Sequence, residues 1–236
     1  MSTRILKPQS PHSAQLHTQT QYLPMAKYLR IHADSPQLRL VRQAVEVLRS
    51  GGLIVYPTDS CYALGCHIGD KNALERMRKV RNLDEHHHFT LVCGGLSEIS
   101  QYASVSNVQY RLLKMTTPGS YTFILQASRD VPRRILNPRR KTIGLRVPAH
   151  PVVSALLDEL GEPILSATLI LPGEDLPPAD VDDIRDFLDK KVDVVIDSGS
   201  CGVDMTTVID LTQDSPELIR TGKGPLAPFG FGSAGG

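Results

Sequence analysis

Arginine and lysine supply most of the chemistry that this chain advertises. Four of the six residues from Arg76 to Arg81 are basic (Arg76, Arg78, Lys79, Arg81), and Arg133, Arg134, Arg139, Arg140 and Lys141 form a second cluster with no acid among them. Arg146 stands inside an apolar strand pattern, where a charge is costly unless a ligand or a buried partner meets it. Arg220 lies near the far end. Guanidinium forks and backbone amides in loops beside strand termini suit phosphates and carboxylates. The acids pool elsewhere, with seven between Glu174 and Asp189 against the single base Arg185. The pattern predicts a local anion site on a molecule that is neutral as a whole.

The totals agree with that reading. The 236 residues carry 26 Lys plus Arg and 25 Asp plus Glu, a formal net charge of +1. This excludes whole-molecule attraction to nucleic acid or membranes. There is no GxxxxGK[ST] and no GxGxxG, so neither common phosphate-binding loop explains the basic clusters, and no GxSxG, HExxH or kinase set is present. Cys61, Cys66, Cys93 and Cys201 form no CxxC pair and read as free thiols packed as small hydrophobes. His86, His87 and His88 invite a zinc reading, but three adjacent side chains do not converge easily on one ion, so a polar loop and no protein-bound metal are expected. A hydrophobic fraction of 41% without a membrane-length apolar run or a secretion signal predicts a cytoplasmic protein without membrane association.

The elements that must position these residues alternate along the chain. A helix from Ser35–Pro36 to Gly51–Gly52 turns Leu38, Val41, Val45 and Leu48 inward. Strand Leu53–Tyr56 follows, then a helix capped by Asp70 that brings Lys79 and Arg81 to its C-terminal end. Strand Phe89–Cys93, helix Ser106–Met115, and strands Tyr121–Ala127 and Thr142–Val147 come next. Helix Pro151–Leu160, strand Ile164–Thr168, helix Val181–Lys190 and strands Val192–Asp197, Thr206–Leu211 and Leu218–Arg220 complete the pattern. Consecutive strands without helices argue for an α/β domain built on a twisted, mixed parallel and antiparallel sheet with flanking helices. Residues 1–24 read as a flexible extension, or as sequence upstream of an internal start at Met25, residues 25–224 as one domain, and 225–236 as a flexible tail.

Several segments together resemble the YrdC/YciO family, which includes threonylcarbamoyl-AMP synthases. They are Gly51 through Ser60 with Tyr62 and Gly65, the KxR motif Lys79–Val80–Arg81, Pro118 through Thr122, Gly144 through Pro148 with His150–Pro151, and Thr206 through Asp210 followed by Arg220. The resemblance implies a single YrdC-like domain around a basic concave cleft. It further implies joining of L-threonine, bicarbonate and ATP into threonylcarbamoyl-adenylate with release of pyrophosphate, with Mg²⁺ expected on the ATP. On the matching positions, Lys79 and Arg81 would be catalytic and would also bind substrate and nucleotide. Thr58, Thr122, Arg146, Ser166 and Thr168 would bind substrate, with Arg146, Thr168 and Arg220 on the nucleotide. The run Ser166–Ala167–Thr168–Leu169–Ile170 departs from the synthases, which carry an Asn amide where Ile170 stands. Asn82 also follows the KxR motif where synthases usually have Pro. These departures place the chain nearest the YciO branch. They leave open a divergent paralogue of the synthase, or a non-catalytic protein binding double-stranded RNA or tRNA through the same cleft.

Overall fold

The computed structural model describes residues 25–84, 87–137 and 139–232. Ten strands form one sheet in the order β1 (Lys27–Arg30), β8 (Val194–Asp197), β2 (Leu53–Tyr56), β3 (Ala63–His67), β7 (Ile164–Thr168), β4 (Thr90–Val92), β6 (Thr142–Arg146), β5 (Tyr121–Gln126), β9 (Thr207–Asp210) and β10 (Glu217–Arg220). Parallel pairs (β1–β8, β2–β8, β4–β6, β5–β9) are mixed with antiparallel ones (β2–β3, β3–β7, β4–β7, β5–β6, β9–β10), as the helix-free strand runs require. Among the described residues six helices flank the sheet: α1 (Leu38–Arg49), α2 (Lys71–Arg81), α3 (Leu96–Tyr102), α4 (Asn107–Thr116), α5 (Pro151–Leu160) and α6 (Arg185–Leu188).

Register explains where the core ends and a cavity begins. Directly paired residues share a face of a sheet, and successive residues alternate. The row Cys66–Leu165–Leu91–Leu145–Phe123–Ile209 therefore lies on one face, and every member is buried. Beneath the same core, α2 sets Ala73, Leu74, Met77 and Val80. On the opposite face, Ile54, Tyr56, Ala63 and Ile164 are covered by α1 and α5 through Val41, Val45, Leu48, Val153 and Leu156. That cover reaches only part of the sheet. Further along the same face runs the polar row Ser166–Thr90–Gly144–Ile124–Asp210.

Local chemistry fixes the helix ends near this row. The Asp70 carboxylate accepts from the Ala73 N–H at 2.8 Å, and α2 stops at Asn82, which adopts the left-handed conformation (φ 52°). A capping box between Ser106 and Gln109 starts α4. Some expectations change. Leu38, in the first turn of α1, is 49% exposed instead of buried. The helix expected over Val181–Lys190 is a 3₁₀ turn (Asp182–Ile184) followed by the single turn α6. Asp182 is drawn into ion pairs with Arg185 at 2.9 Å and Arg30 at 3.7 Å, and Lys190 ends the segment at φ 65°. Strands β1 and β3 and helix α3 add to the sequence reading. Residues 225–232, expected as part of a loose tail, include a 3₁₀ turn at Ala227–Phe229. The Phe229 ring packs against Tyr121 and Phe123 at 5.5 and 6.1 Å between centroids, because burying an aromatic ring outweighs the entropy of ordering a short segment. The extension read over residues 1–24 lies outside the described residues. Among the described residues no helix is long and apolar enough to cross a membrane.

Candidate functional site

Where α1 and α5 leave the sheet bare, a cavity of about 480 Å³ opens. Its floor is the stretch of that row from Ser166 through Thr90 and Gly144 to Ile124, beside the buried Asp210. A Cβ on Gly144 would meet Thr90 Oγ1 at 3.0 Å and the Phe89 carbonyl at 3.3 Å, so glycine gives the floor its depth. Flanking rows add Thr168 and Ala63 on one side and Thr122 and Val208 on the other. Connections leaving the strands supply the walls: Arg81 at the end of α2, His87 and His88 before β4, Asn137 and Arg140 before β6, Ile170 after β7, and Met205 and Thr206 before β9.

Six of the residues expected at a site meet here: Arg81, Thr122, Arg146, Ser166, Thr168 and Arg220. Their states differ. The guanidinium of Arg81 donates through Nη1 to the Ile170 carbonyl. That of Arg220 donates from Nε and Nη2 to the Thr206 carbonyl at 3.2 and 3.0 Å, and from Nη2 to Thr206 Oγ1 at 3.2 Å. Among the described residues neither meets a carboxylate, and burial lowers the pKa of both because the charged form loses water. Thr168 keeps a hydroxyl on the wall with no partner among the described residues, whereas Thr122 and Thr206 share one hydrogen bond at 2.9 Å.

Arg146 is different, since the protein already answers its charge. Its Nη2 donates to Asp59 Oδ1, to Ser60 Oγ at 2.9 Å and to Thr58 Oγ1 at 3.2 Å. Asp59 in turn accepts from Ser120 Oγ at 2.9 Å. Thr58 therefore sits behind the site and orients Arg146; it is not on the cavity wall. Ser166 reaches the wall, but its hydroxyl donates to the Leu64 carbonyl at 3.1 Å and accepts from Tyr56 Oη at 2.7 Å. Its hydroxyl hydrogen is thus committed to the strand pairing of β3 with β7. Lys79 is exposed on α2 and does not line the cavity, because it lies two residues before Arg81 and points to another side of the helix.

The structure adds Thr90, Thr142, Asn137 and Met205, which the sequence did not single out, and brings to the cavity Arg140 from the second basic cluster and Gly144 from the family-like motif, neither of which the sequence alone assigns to the site. The alternation Thr142–Gly144–Arg146 carried a signal for three floor positions, but it becomes readable only once the bare face is known. His87, half-buried on the wall, packs edge-on against Phe89 at 5.1 Å. Burial, then Arg81 and His88, push its pKa down to about 4, so near neutral pH it presents an uncharged imidazole. Among the described residues no group of three His, Cys, Asp or Glu is arranged to hold a metal ion.

Comparison with known proteins gives the geometry a context. The family model described as "Telomere recombination", covering Sua5, YciO and YrdC proteins, matches residues 46–222. Uncharacterized protein YciO of Escherichia coli (strain K12) is 54% identical over 205 residues, 87% of this chain and 100% of that protein. The crystal structure of E. coli YciO matches with a TM-score of 0.84 over the same shares of the two chains. The threonylcarbamoyl-AMP synthase of Pyrococcus abyssi (strain GE5 / Orsay) is 28% identical over 188 residues, 79% of this chain and 55% of that enzyme. The crystal structure of P. abyssi Sua5 complexed with L-threonine matches with a TM-score of 0.76 at 26% identity, over 83% of this chain and 57% of that one. Sequence and fold agree, and the chain belongs to the Sua5/YciO/YrdC family.

Proposed function

We propose that the cavity binds Mg·ATP together with the carbamate of an amino acid and catalyses adenylate formation of the threonylcarbamoyl-AMP synthase type. The overall reaction is L-threonine plus bicarbonate plus ATP giving threonylcarbamoyl-adenylate, pyrophosphate and water. One observation carries this reading: Arg81 and Arg220, both desolvated and meeting no carboxylate among the described residues, face one cavity lined by hydroxyl groups. A carbamate and a triphosphate repel each other, so joining them requires fixed cations that offset their charge while the attacking oxygen is aligned with the α-phosphorus. Arg81 takes the catalytic position, and Arg220 neutralises phosphate. Thr168 donates a hydroxyl. Mg²⁺ arrives as part of the nucleotide substrate. Arg146, already paired with Asp59, shapes the floor and adds little net charge. At about 480 Å³ the cavity has the size of a small-molecule site and not of a nucleic-acid duplex.

Ile170 tunes the activity. It stands on the wall where synthases carry an amide, and its side chain offers neither donor nor acceptor. The test is pyrophosphate release by the purified protein with Mg·ATP, bicarbonate and each amino acid in turn. The expected result is release that needs both bicarbonate and an amino acid, is lost in Arg81→Ala and rises in Ile170→Asn. No release above background with any amino acid overturns the proposal.

A further inference from the structure

Arg140 stands on the wall of the same cavity but plays no part in the reading above. Its backbone is braced. Asn137 Oδ1 accepts from the N–H groups of Arg139 and Arg140 at 3.0 and 2.8 Å, and the Lys141 N–H returns to the Asn137 carbonyl at 2.9 Å. Its guanidinium is held from the floor. Nη2 donates to Asp210 Oδ2 at 2.8 Å and to Thr212 Oγ1 at 2.9 Å, while the Thr212 N–H and hydroxyl donate to Asp210 Oδ1 at 2.8 and 2.6 Å. Both Nη2 hydrogens are thus committed. No described residue takes those of Nη1 and Nε.

The pair is lopsided. The Asp210 side chain is 0% exposed and the Arg140 side chain 48% exposed. A buried carboxylate is an expensive means of gaining stability. It is an effective means of holding one guanidinium edge still while the other faces the cavity. Asp210 pairs with Ile124 in the polar row, and Arg220 pairs with Val208, two residues earlier on β9. The Arg220 guanidinium itself is held at Thr206, two residues earlier again, so the groups that hold the two arginines are about 13 Å apart along the strand, a gap that an extended triphosphate closes with a hydrogen bond at each end. Arg81, bonded to Ile170 just beyond β7, lies four strand spacings away across β4, β6 and β5, or about 19 Å.

We propose that Arg140 is a third ligand-binding cation, which with Arg220 grips the polyphosphate of the nucleotide at the β9 end of the floor, Asp210 acting as its positioning residue. This rests on the nucleotide reading of the cavity. The experiment measures ATP and AMP binding by calorimetry in the wild-type protein and in Arg140→Gln/Asp210→Asn, a change that leaves no unpaired buried charge. The expected result is an ATP affinity about tenfold lower with AMP changed by less than about twofold, since AMP lacks the distal phosphates. Wild-type binding of ATP with an unchanged ATP-to-AMP ratio in the double variant overturns the role of Arg140 alone. Absence of ATP binding to the wild type overturns the nucleotide reading and this inference with it. Should the double variant not fold, Arg140→Lys keeps a cation over Asp210 but loses the fork. An ATP-to-AMP ratio equal to wild type in Arg140→Lys likewise overturns the proposal.

Discussion

Asp59→Ala tests whether Arg146 belongs to the protein or to the ligand. In the wild type, Arg146 is 7% exposed, and its Nη2 reaches Asp59 Oδ1 and the hydroxyls of Ser60 and Thr58. Removing the carboxylate leaves a buried guanidinium facing two neutral hydroxyls, and Ser120 Oγ keeps only the longer bond to the Asp59 carbonyl at 3.5 Å. Breaking one side of a buried ion pair costs about 3–5 kcal/mol. For a chain of this size that corresponds to a fall in Tm of about 6–20 °C at ~2–4 °C per kcal/mol. The assay is urea denaturation at fixed salt of Asp59→Ala, Arg146→Met and the double variant. Because the two residues share one bond, the double variant is expected to lose less than the sum of the singles, by about 1–3 kcal/mol. A cost below about 1 kcal/mol for Asp59→Ala, with additive singles, would refute the reasoning and return Arg146 to the ligand.

Three other outcomes follow from the geometry. Asn82→Pro should destabilise by about 3 kcal/mol or more, because proline fixes φ near −65° where this residue needs +52° and its N–H serves the end of α2; Asn82→Gly, measured by the same denaturation, should stay within about 1 kcal/mol of wild type. Gly144→Val should fill the cavity floor and weaken ATP binding at least about tenfold, with retention of the wild-type circular dichroism spectrum; binding unchanged by the substitution would remove the cavity from the site. His87 has a pKa in the folded state near 4 against about 6.5 unfolded, so the unfolded state binds more protons between these values. Stability should therefore be full above about pH 6.5 and fall as pH is lowered toward 4, and the urea midpoint of His87→Gln should depend less on pH across that window.

Much of the fold was legible because the local signals were strong. Helix α5 and strand β7 have the bounds that Pro151, Gly161 and the apolar run Ile164–Leu165 announce, and α2 starts at the Asp70 cap. Strand β3 was hidden because Ala63–Leu64–Gly65–Cys66–His67 lacks the β-branched residues that mark strands, and its pairing with β2 and β7 comes from tertiary context. The acidic stretch misled in the other direction, since Val181, Ile184 and Leu188 keep a helical spacing over a segment that forms only a 3₁₀ turn and a single helical turn, with Asp182 tied to Arg30 and Arg185.

For the site, the sequence alone determined that basic residues cluster, that one arginine lies within an apolar strand, and that the motifs occur in the order typical of the family. Those are properties of residue type and spacing. Which arginines remain available for a ligand was decided only by the tertiary structure. Arg146 draws its carboxylate from Asp59, 87 residues away in the chain, whereas Asp210, 70 residues from Arg140, holds one edge of that guanidinium and leaves the other to the cavity. Among the described residues, Arg81 and Arg220 find backbone carbonyls, a hydroxyl and a thioether but no carboxylate. Charge is written residue by residue, but neutralisation is a contact between distant strands, and only the sheet register and the bare half of one face bring those contacts into being.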